Sequence, residues 1–593
     1  MRTEREVPSL LPAHDNRLKS LLFRLAARLT GLDRIDDTYR DLAAGDPSPF
    51  EFLQRAIAWL NPTQTVDTGE LARIPGAGPC IVVANHPMGA QDGLMLLLLA
   101  MSRRADVRFL GNDLLRAVAP LRHLLIPVDV LGSGARNALA TRTALRHLRH
   151  GGCLVVFPAG MVAPSSREGQ GVDAAWSRGV AALQRLANAS VVPVWLGGTN
   201  DPWFRIAGRI HPCLRTALLP RALLKSRGTN RSIAVGPAID PTLLLRFASD
   251  AERINHLRLS CEVLSRRSKD RTIARMHRSE AAIAEPVDPQ LLAAEVRALP
   301  EDTMLVRTGS IEVRIARANQ IPHLLLEIGR LREVSFRRVG EGSGMERDLD
   351  EFDPHYHHLF AWDRAAGVVV GAYRLGLTDQ LLAAGGVGSL YTSGFYRFSQ
   401  QFFRVVHPAI ELGRSFVSPE HQRGHLPLLS LWRGIGAFVV RNPRYRHLFG
   451  PVSISATHQQ VSIQLMLEHL RMHRADPALS AQVASRNPWR PSVAPLQLQP
   501  GAIADLDKVS AIVRDVESGA RGVPVLLTEY LRLNGTFLAM ASDPAFGSVD
   551  ALLLVDLLKT PSLMLRRYLG EAGANSFLEH HGLVKLGASG AAG

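Results

Sequence analysis

Four short apolar runs place the tightest limit on how this chain can fold. CIVVAN (Cys80 to Asn85), VRFLG (Val107 to Gly111), CLVVFP (Cys153 to Pro158) and SVVPVWL (Ser190 to Leu196) are strand-length. Between them lie longer helix-compatible stretches, through Leu94 to Met101, around Ala138 to Arg149 and around Ala174 to Ala187. Strands alternating with helices predict an α/β sandwich on a largely parallel central sheet, because a parallel pair needs a crossover long enough to hold a helix. From about Ser265 to Arg307 the chain becomes charged and helix-compatible, and a new αβ pattern begins at IEVRIA (Ile311 to Ala316). The fold class expected is therefore α/β in two domains. Residues 1–60 read as a helical, interfacial segment, 61–262 as the first domain, 263–310 as a helical connector and 311–593 as the second domain. At 593 residues and 46% hydrophobic, the chain has apolar material for more than one core. No internal repeat relates the two halves.

Several classes are set aside by the same sequence. The longest apolar run near the first candidate site, LMLLLLAM (Leu94 to Met101), falls far short of the ~20 residues of a spanning helix, and no secretory pattern opens the chain. Cys80, Cys153, Cys213 and Cys261 are scattered, with no CxxC pair, so neither a disulfide framework nor a metal site is expected and a reducing cytosol fits. The net charge of +15 implies acidic partners. Nucleic acid is not expected among them, since no reader motif is visible and aromatics make up 6% of the chain. In NRLKSLLFRLAARLTGL, Leu18, Leu21, Leu22, Leu25 and Leu29 recur at helical spacing opposite Arg17, Lys19, Arg24 and Arg28. Such a helix lies on an anionic bilayer or packs on its own domain.

Polar residues inside the first apolar stretch point to chemistry. In IVVANHPMGAQDGLMLLL, His86 lies just past a strand, in a turn with Pro87 and Gly89, and Asp92 opens the next helical run. A neutral imidazole is a general base for an alcohol, and a carboxylate on its other ring nitrogen fixes the tautomer and stabilises the imidazolium. An Asp at a strand-to-helix turn is also a common helix cap, so the residues alone leave both roles open.

Residues 80–240 resemble the glycerolipid acyltransferases, whose first motif is Asn-His-x4-Asp. Here it reads Asn85-His86-Pro87-Met88-Gly89-Ala90-Gln91-Asp92, with one extra residue that the Pro-Met-Gly turn must absorb. The family's Phe-Pro-Glu-Gly appears as Phe157-Pro158-Ala159-Gly160, and its Val-Pro-Val as Val192 to Val194. The Glu replaced by Ala159 is associated in those enzymes with the acceptor's polar head, which argues against a glycerol-phosphate acceptor. NHPxGxxDG, FPAG and HPCLRTALLPRALL (His211 to Leu224) are similar to the hemolysin-like, ornithine-lipid branch. The resemblance implies His86 and Asp92 as catalytic, with Asn85, Gly89, Phe157, Pro158 and Gly160 lining the substrate, and turn amides around Gly160 facing the developing oxyanion. Arg215 and Arg221 are candidates for an acidic acceptor or a carrier's phosphodiester, since guanidinium forks suit both. No Ser or Cys nucleophile elbow is present, so the acceptor hydroxyl attacks the thioester directly.

In the second half, Glu346, Asp348, Asp350, Glu351 and Asp353 crowd into one short run. The run is either a solvated loop or a site for a cation or amine, and its spacing does not fit an EF-hand. Residues 311 to about 500 resemble the GNAT-type N-acyltransferases that make lyso-ornithine lipids and, more distantly, acyl-homoserine-lactone synthases. The resemblance rests on Arg332 and Phe336, on Glu346, Asp348, Asp350, Phe352 and Asp353, on Val370 to Leu375 with Arg374, on Glu411-Leu412-Gly413-Arg414, and on Asn487-Pro488-Trp489-Arg490-Pro491. It implies Glu411 as the base that frees the amine, with Arg332, Arg374, Arg414 and the acidic residues holding substrate; a Glu411–Arg414 ion pair is the structural alternative. The pyrophosphate loop is reduced to HQRGHLPLL (His421 to Leu429), which favours an acyl thioester on acyl carrier protein, through its phosphopantetheine arm, over acyl-coenzyme A. No bound cofactor or metal is expected.

Together the halves resemble bifunctional ornithine-lipid synthases. The expected function is N-acylation of an amino acid, ornithine first, with a 3-hydroxyacyl group, then O-acylation of the new 3-hydroxyl, in the cytoplasm at the inner face of a bacterial inner membrane. The partners expected are acyl carrier protein, the amino acid, the lyso-lipid and an anionic membrane surface. The alternative is a lysophospholipid acyltransferase with an accessory carrier-binding second half.

Overall fold

The computed structural model describes residues 9–10, 27–28, 30–65, 68–129, 134–167, 170–199, 217–267, 280–422, 424, 426–491, 496, 501, 503–517 and 521–583. The amphipathic Leu18 to Leu29 pattern, Cys213 and Arg215 lie outside them. The chain divides into two compact units, Met1–Arg267 with Leu496–Lys508, and Ser268–Pro495 with Val509–Gly593. The short return of Leu496–Lys508 to the first unit is invisible in a linear sequence; there the Lys508 ammonium sits 4.0 Å over the Phe247 ring.

In the first unit the strands are β1 (Thr63–Thr65), β2 (Cys80–Ala84), β3 (Val107–Asn112), β4 (Leu125–Val128), β5 (Cys153–Val156), β6 (Ser165–Arg167), β7 (Gln170–Val172), β8 (Ser190–Leu196) and β9 (Asn230–Val235). The sheet runs β1-β9-β8-β2-β5-β3-β4. Strands β8, β2, β5, β3 and β4 are mutually parallel, and β9 pairs antiparallel with β8. Every residue of β2 and β5 is buried, as expected of parallel strands covered on both faces. Alternate β2 residues supply two cores: Val82 and Ala84 pack with the helices Pro49–Leu60 and Ala90–Met101, whereas Ile81 and Val83 pack with Gly134–Arg149, Arg178–Ala187 and Asp250–Leu264. The carboxyl ends of β2 and β5 therefore emerge side by side, where open α/β sheets place their ligands.

The second unit contains β10 (Met304–Thr308), β11 (Ile311–Arg317), β12 (His357–Asp363), β13 (Val368–Leu377), β14 (Tyr396–Phe398), β15 (Ala409–Val417), β16 (His447–Ser455), β17 (Val483–Ser485), β18 (Thr536–Asp543) and β19 (Ser548–Asp556). Its main sheet is ordered β10-β11-β12-β13-β15-β16-β19-β18. All neighbours are antiparallel except β15 and β16, whose parallel ladder stops at Glu411 and Phe449 although both strands continue. On β15 the register with β13 slips between Gly413 and Phe416, a bulge centred on Arg414, which has φ 48°. Bulges of this kind re-aim a side chain, and this one turns Arg414 toward the acidic run. The helices Pro322–Arg338 and Leu426–Arg441 cover opposite faces: the former packs with Ala316 and Phe360, and Gly434 of the latter lets its backbone approach Val313 and Leu359.

Candidate active sites

In the first unit the sequence solves the extra residue between His86 and Asp92 with a turn. Gly89 has φ 86° and ψ −125°, a backbone conformation that calls for glycine, and a Cβ there would sit 3.0 Å from Leu219 Cδ2, which would have to give way. The helix begins at Ala90, which puts Asp92 in its first turn rather than at its cap. From there Asp92 Oδ2 accepts the Met88 and Gly89 amides at 2.7 and 3.0 Å and meets His86 Nδ1 at 3.1 Å. One carboxylate thus closes the helix start and orients the imidazole. With Nδ1–H directed at Asp92, the neutral ring presents Nε2 as its acceptor, and Nε2 takes no partner among the described residues. The ring stacks on Phe157 with centroids 4.1 Å apart, and the His86 side chain stays 17% exposed beside a nearly buried Asp92. Such a ring can accept a proton at Nε2 with its orienting carboxylate on Nδ1.

Other expected residues fall into different places. Both ends of the Asn85 amide are spent on Leu196: Nδ2 donates to its carbonyl at 2.8 Å and Oδ1 accepts its amide at 2.7 Å, so Asn85 clamps β2 to β8 and is corrected from substrate lining to scaffold. The Gly160 amide donates to the Phe157 carbonyl at 3.0 Å, which closes the Phe157–Gly160 turn and removes that amide as an oxyanion donor. Pro158 O accepts the Ser177 amide at 2.9 Å. Ala159 is buried in the core. Arg221 is exposed on the helix Leu219–Lys225, whose first residue abuts Gly89.

Sequence reasoning missed Asp173. Its Oδ1 accepts the His86 backbone amide at 3.0 Å and its Oδ2 the Trp176 indole at 2.9 Å. Burial raises its pKa against those bonds. No local pattern marks it, because the contact spans 87 residues.

In the second unit the acidic run is not a solvated loop. Asp353 Oδ1 accepts Arg332 Nη1 at 2.8 Å and lies 3.4 Å from Arg374 Nη1; Arg374 also bonds Asp350; and Arg414 reaches Asp348 and Asp350 at 3.5 and 3.4 Å. Burial pushes Asp353 up, but the Arg332 and Arg374 guanidiniums outweigh it and hold the carboxyl below its ordinary range. Asp348 is raised by burial despite the same cations. Three carboxylates balanced by three guanidiniums leave little free field for an amine, which corrects that expectation. Glu346 stays outside, exposed and paired with Arg347 at 2.7 Å.

Glu411 does not pair with Arg414. Its Oε1 accepts the Thr392 amide at 2.7 Å and its Oε2 accepts the Tyr356 hydroxyl. Burial raises its pKa, and the bonds from Thr392 and Tyr356 together with the Arg374 charge offset that rise only in part. Both guanidiniums lie over the Tyr391 ring, Arg374 at 4.9 Å and Arg414 at 5.0 Å from its centroid. Beyond Arg414, burial pushes Glu341 up to about 8 and Asp550 up to about 7, and Ser453, directly across from Asp550, bonds Glu341 at 2.9 Å. Among the described residues no cluster is arranged to hold a metal ion, and no helix is long and apolar enough to cross a membrane.

Known proteins resemble the two halves separately. Residues 17–259 match the family described as Acyltransferase, and residues 331–433 match the Acetyltransferase (GNAT) domain. The chain is 36% identical over 207 residues to a glycine N(alpha)-acyltransferase of Bacteroides thetaiotaomicron, covering 33% of this chain and 60% of the relative. The glycine N(alpha)-acyltransferase of Phocaeicola vulgatus is 33% identical over 207 residues, 33% of this chain and 63% of the relative. The lyso-glycine lipid O-acyltransferase of the latter organism is 29% identical over 198 residues, 32% of this chain and 68% of the relative. The chain thus spans under two thirds of the two N-acyltransferases.

Proposed function

We propose, from the match of each half to an acyltransferase family, that the chain makes an amino acid membrane lipid in two steps. In the second unit the α-amine of the amino acid, freed of its proton by Glu411, attacks the carbonyl of a 3-hydroxyacyl thioester. The C–N bond forms, the C–S bond breaks and the thiol leaves. In the first unit the 3-hydroxyl of that product gives its proton to His86 Nε2 and attacks a second thioester. Asp92 steadies the imidazolium, which returns the proton to the departing thiolate. The product is a phosphorus-free acyloxyacyl amino acid.

The observation that carries this reading is that each unit fixes one titratable side chain by hydrogen bonds: the His86 imidazole against Asp92, and the Glu411 carboxylate between the Thr392 amide and the Tyr356 hydroxyl. Ornithine is the acceptor that the family resemblance implies, though no motif specifies the amino acid. Glycine is the second, favoured by what the names of the similar N- and O-acyltransferases say they act on. Acyl carrier protein is the proposed donor, supported by the glycine-poor His421 to Leu429 loop and the net charge of +15. The same charge favours peripheral contact with an anionic membrane on the cytoplasmic side.

Purified full-length chain supplied with radiolabelled 3-hydroxyacyl carrier protein and ornithine or glycine is expected to yield a labelled lyso-lipid, then a diacylated lipid. Transfer of label to lysophospholipid alone would replace this reading with the remodelling alternative.

A further inference from the structure

Glu411 is 1% exposed, and a carboxylate that deep is useful as a base only if something keeps it charged and fixed. Two donors reach it, one on each oxygen. The Thr392 amide is backbone and independent of side-chain identity. The other is the phenol of Tyr356, itself 1% exposed, at the entry to β12 and 55 residues away in sequence. The Tyr356 oxygen is in turn fixed by the Tyr391 amide, which donates to it at 2.9 Å. Successive amides of one turn, Tyr391 and Thr392, therefore hold the phenol and the carboxylate in a single frame. Above the Tyr356 ring, at 5.1 Å, lies the Arg374 guanidinium, which is bound by Asp350 and Asp353.

We infer that Tyr356, which no motif singles out, is the positioning residue of the N-acyl-transfer site: its hydroxyl donates to Glu411 and fixes the carboxylate's orientation toward the amine. The inference rests on the N-acyl-transfer reading. The groups facing the Glu411–Tyr356 pair are few. Arg374 from β13 is the charged one, the turn at Tyr391 and Thr392 contributes two amides and the Thr392 side chain, the Ser389 carbonyl lies 3.4 Å from the Tyr356 hydroxyl, and Phe449, opposite Glu411 on β16, is apolar. Apart from Arg374, the charge on Glu411 is therefore governed by hydrogen-bond donors, and the Thr392 side chain and the Tyr356 phenol are those that a side-chain change can alter. A donor to the charged form favours that form, so its loss moves the low-pH limb of N-acylation toward higher pH.

The test measures kcat/KM for amine acylation against pH with the full chain. Tyr356→Phe keeps the ring beneath Arg374 and deletes only the hydroxyl. Its low-pH limb is expected to move alkaline, with a loss of about tenfold per pH unit of movement on that limb and little loss on the plateau. Fluorotyrosine placed at position 356 is a more acidic donor and is expected to move the limb the opposite way. This second measurement keeps the inference testable if Tyr356→Phe does not fold. Tyr445→Phe, which removes another buried phenol bonded to a carboxylate, Asp379 at 2.8 Å, is expected to leave the limb in place. A limb that does not move in Tyr356→Phe, or an equal loss at every pH, overturns the positioning role while leaving N-acyl transfer intact. A wild-type chain that acylates no amine overturns both.

Discussion

Asp92 carries two duties on one oxygen, closing the first turn of its helix and facing His86 Nδ1. Its substitution therefore separates folding from chemistry. Asp92→Asn retains an acceptor for the amides but loses the charge that steadies an imidazolium. O-acylation is expected to fall by roughly 10²–10⁴-fold, the usual worth of a general base, with KM for the lyso-lipid little changed, since the lost interaction matures only in the transition state. Steady-state kinetics with supplied lyso-lipid checks this. Glu341 and Asp550 are raised by burial to about 8 and about 7. The native state therefore holds protons that the unfolded chain gives up near pH 4, so the stability due to these groups is complete below about pH 4 and is lost as pH rises toward 8. Thermal unfolding is expected to show that decline, and Glu341→Gln or Asp550→Asn to flatten it. The His86–Asp92 pair was legible because both residues lie within one short motif. The sign of the acidic run was legible but not its meaning, because the arginines that neutralise it come from positions 332, 374 and 414.

At the scale of elements, the alternation of strands and helices in the first half was readable from apolar runs, and the parallel sheet follows from it. The β8–β9 reversal was not, since β9 reads NRSIAV and carries no turn signal that sets its direction. Nor was the bulge at Arg414, where a non-glycine residue takes φ 48° with nothing local to require it. Asp173 escaped for a related reason: its partner is a backbone amide 87 residues away. The Pro87–Gly89 turn is the element on which the first site depends. Gly89→Ala would place a methyl group against Leu219 and Val162 at a φ and ψ that L-residues rarely adopt, a strain of about 1–3 kcal/mol. The expected result is a lower unfolding temperature for the first unit and loss of O-acylation, with N-acylation retained. Calorimetry and product analysis on one preparation test both.

For the whole molecule, a proposed proton acceptor in each of two units predicts independent failure and recovery. Full-length His86→Ala and Glu411→Ala chains, each unable to complete the product, are expected to restore the diacylated lipid when mixed, because the lyso-lipid made by one is the substrate of the other. At dilute protein the mixture is expected to lag the wild type, which keeps both sites on one chain and raises the local concentration of the intermediate. The most direct measurement is mass spectrometry of lipid extracts from a bacterium lacking amino acid lipids, expressing wild type, His86→Ala or Glu411→Ala. Wild type is expected to give a diacylated amino acid lipid whose head-group mass names the amino acid, His86→Ala its monoacylated precursor, and Glu411→Ala neither. A diacylated product from His86→Ala, or a shift in phospholipid acyl composition with no amino acid lipid in any strain, would contradict the two-site account.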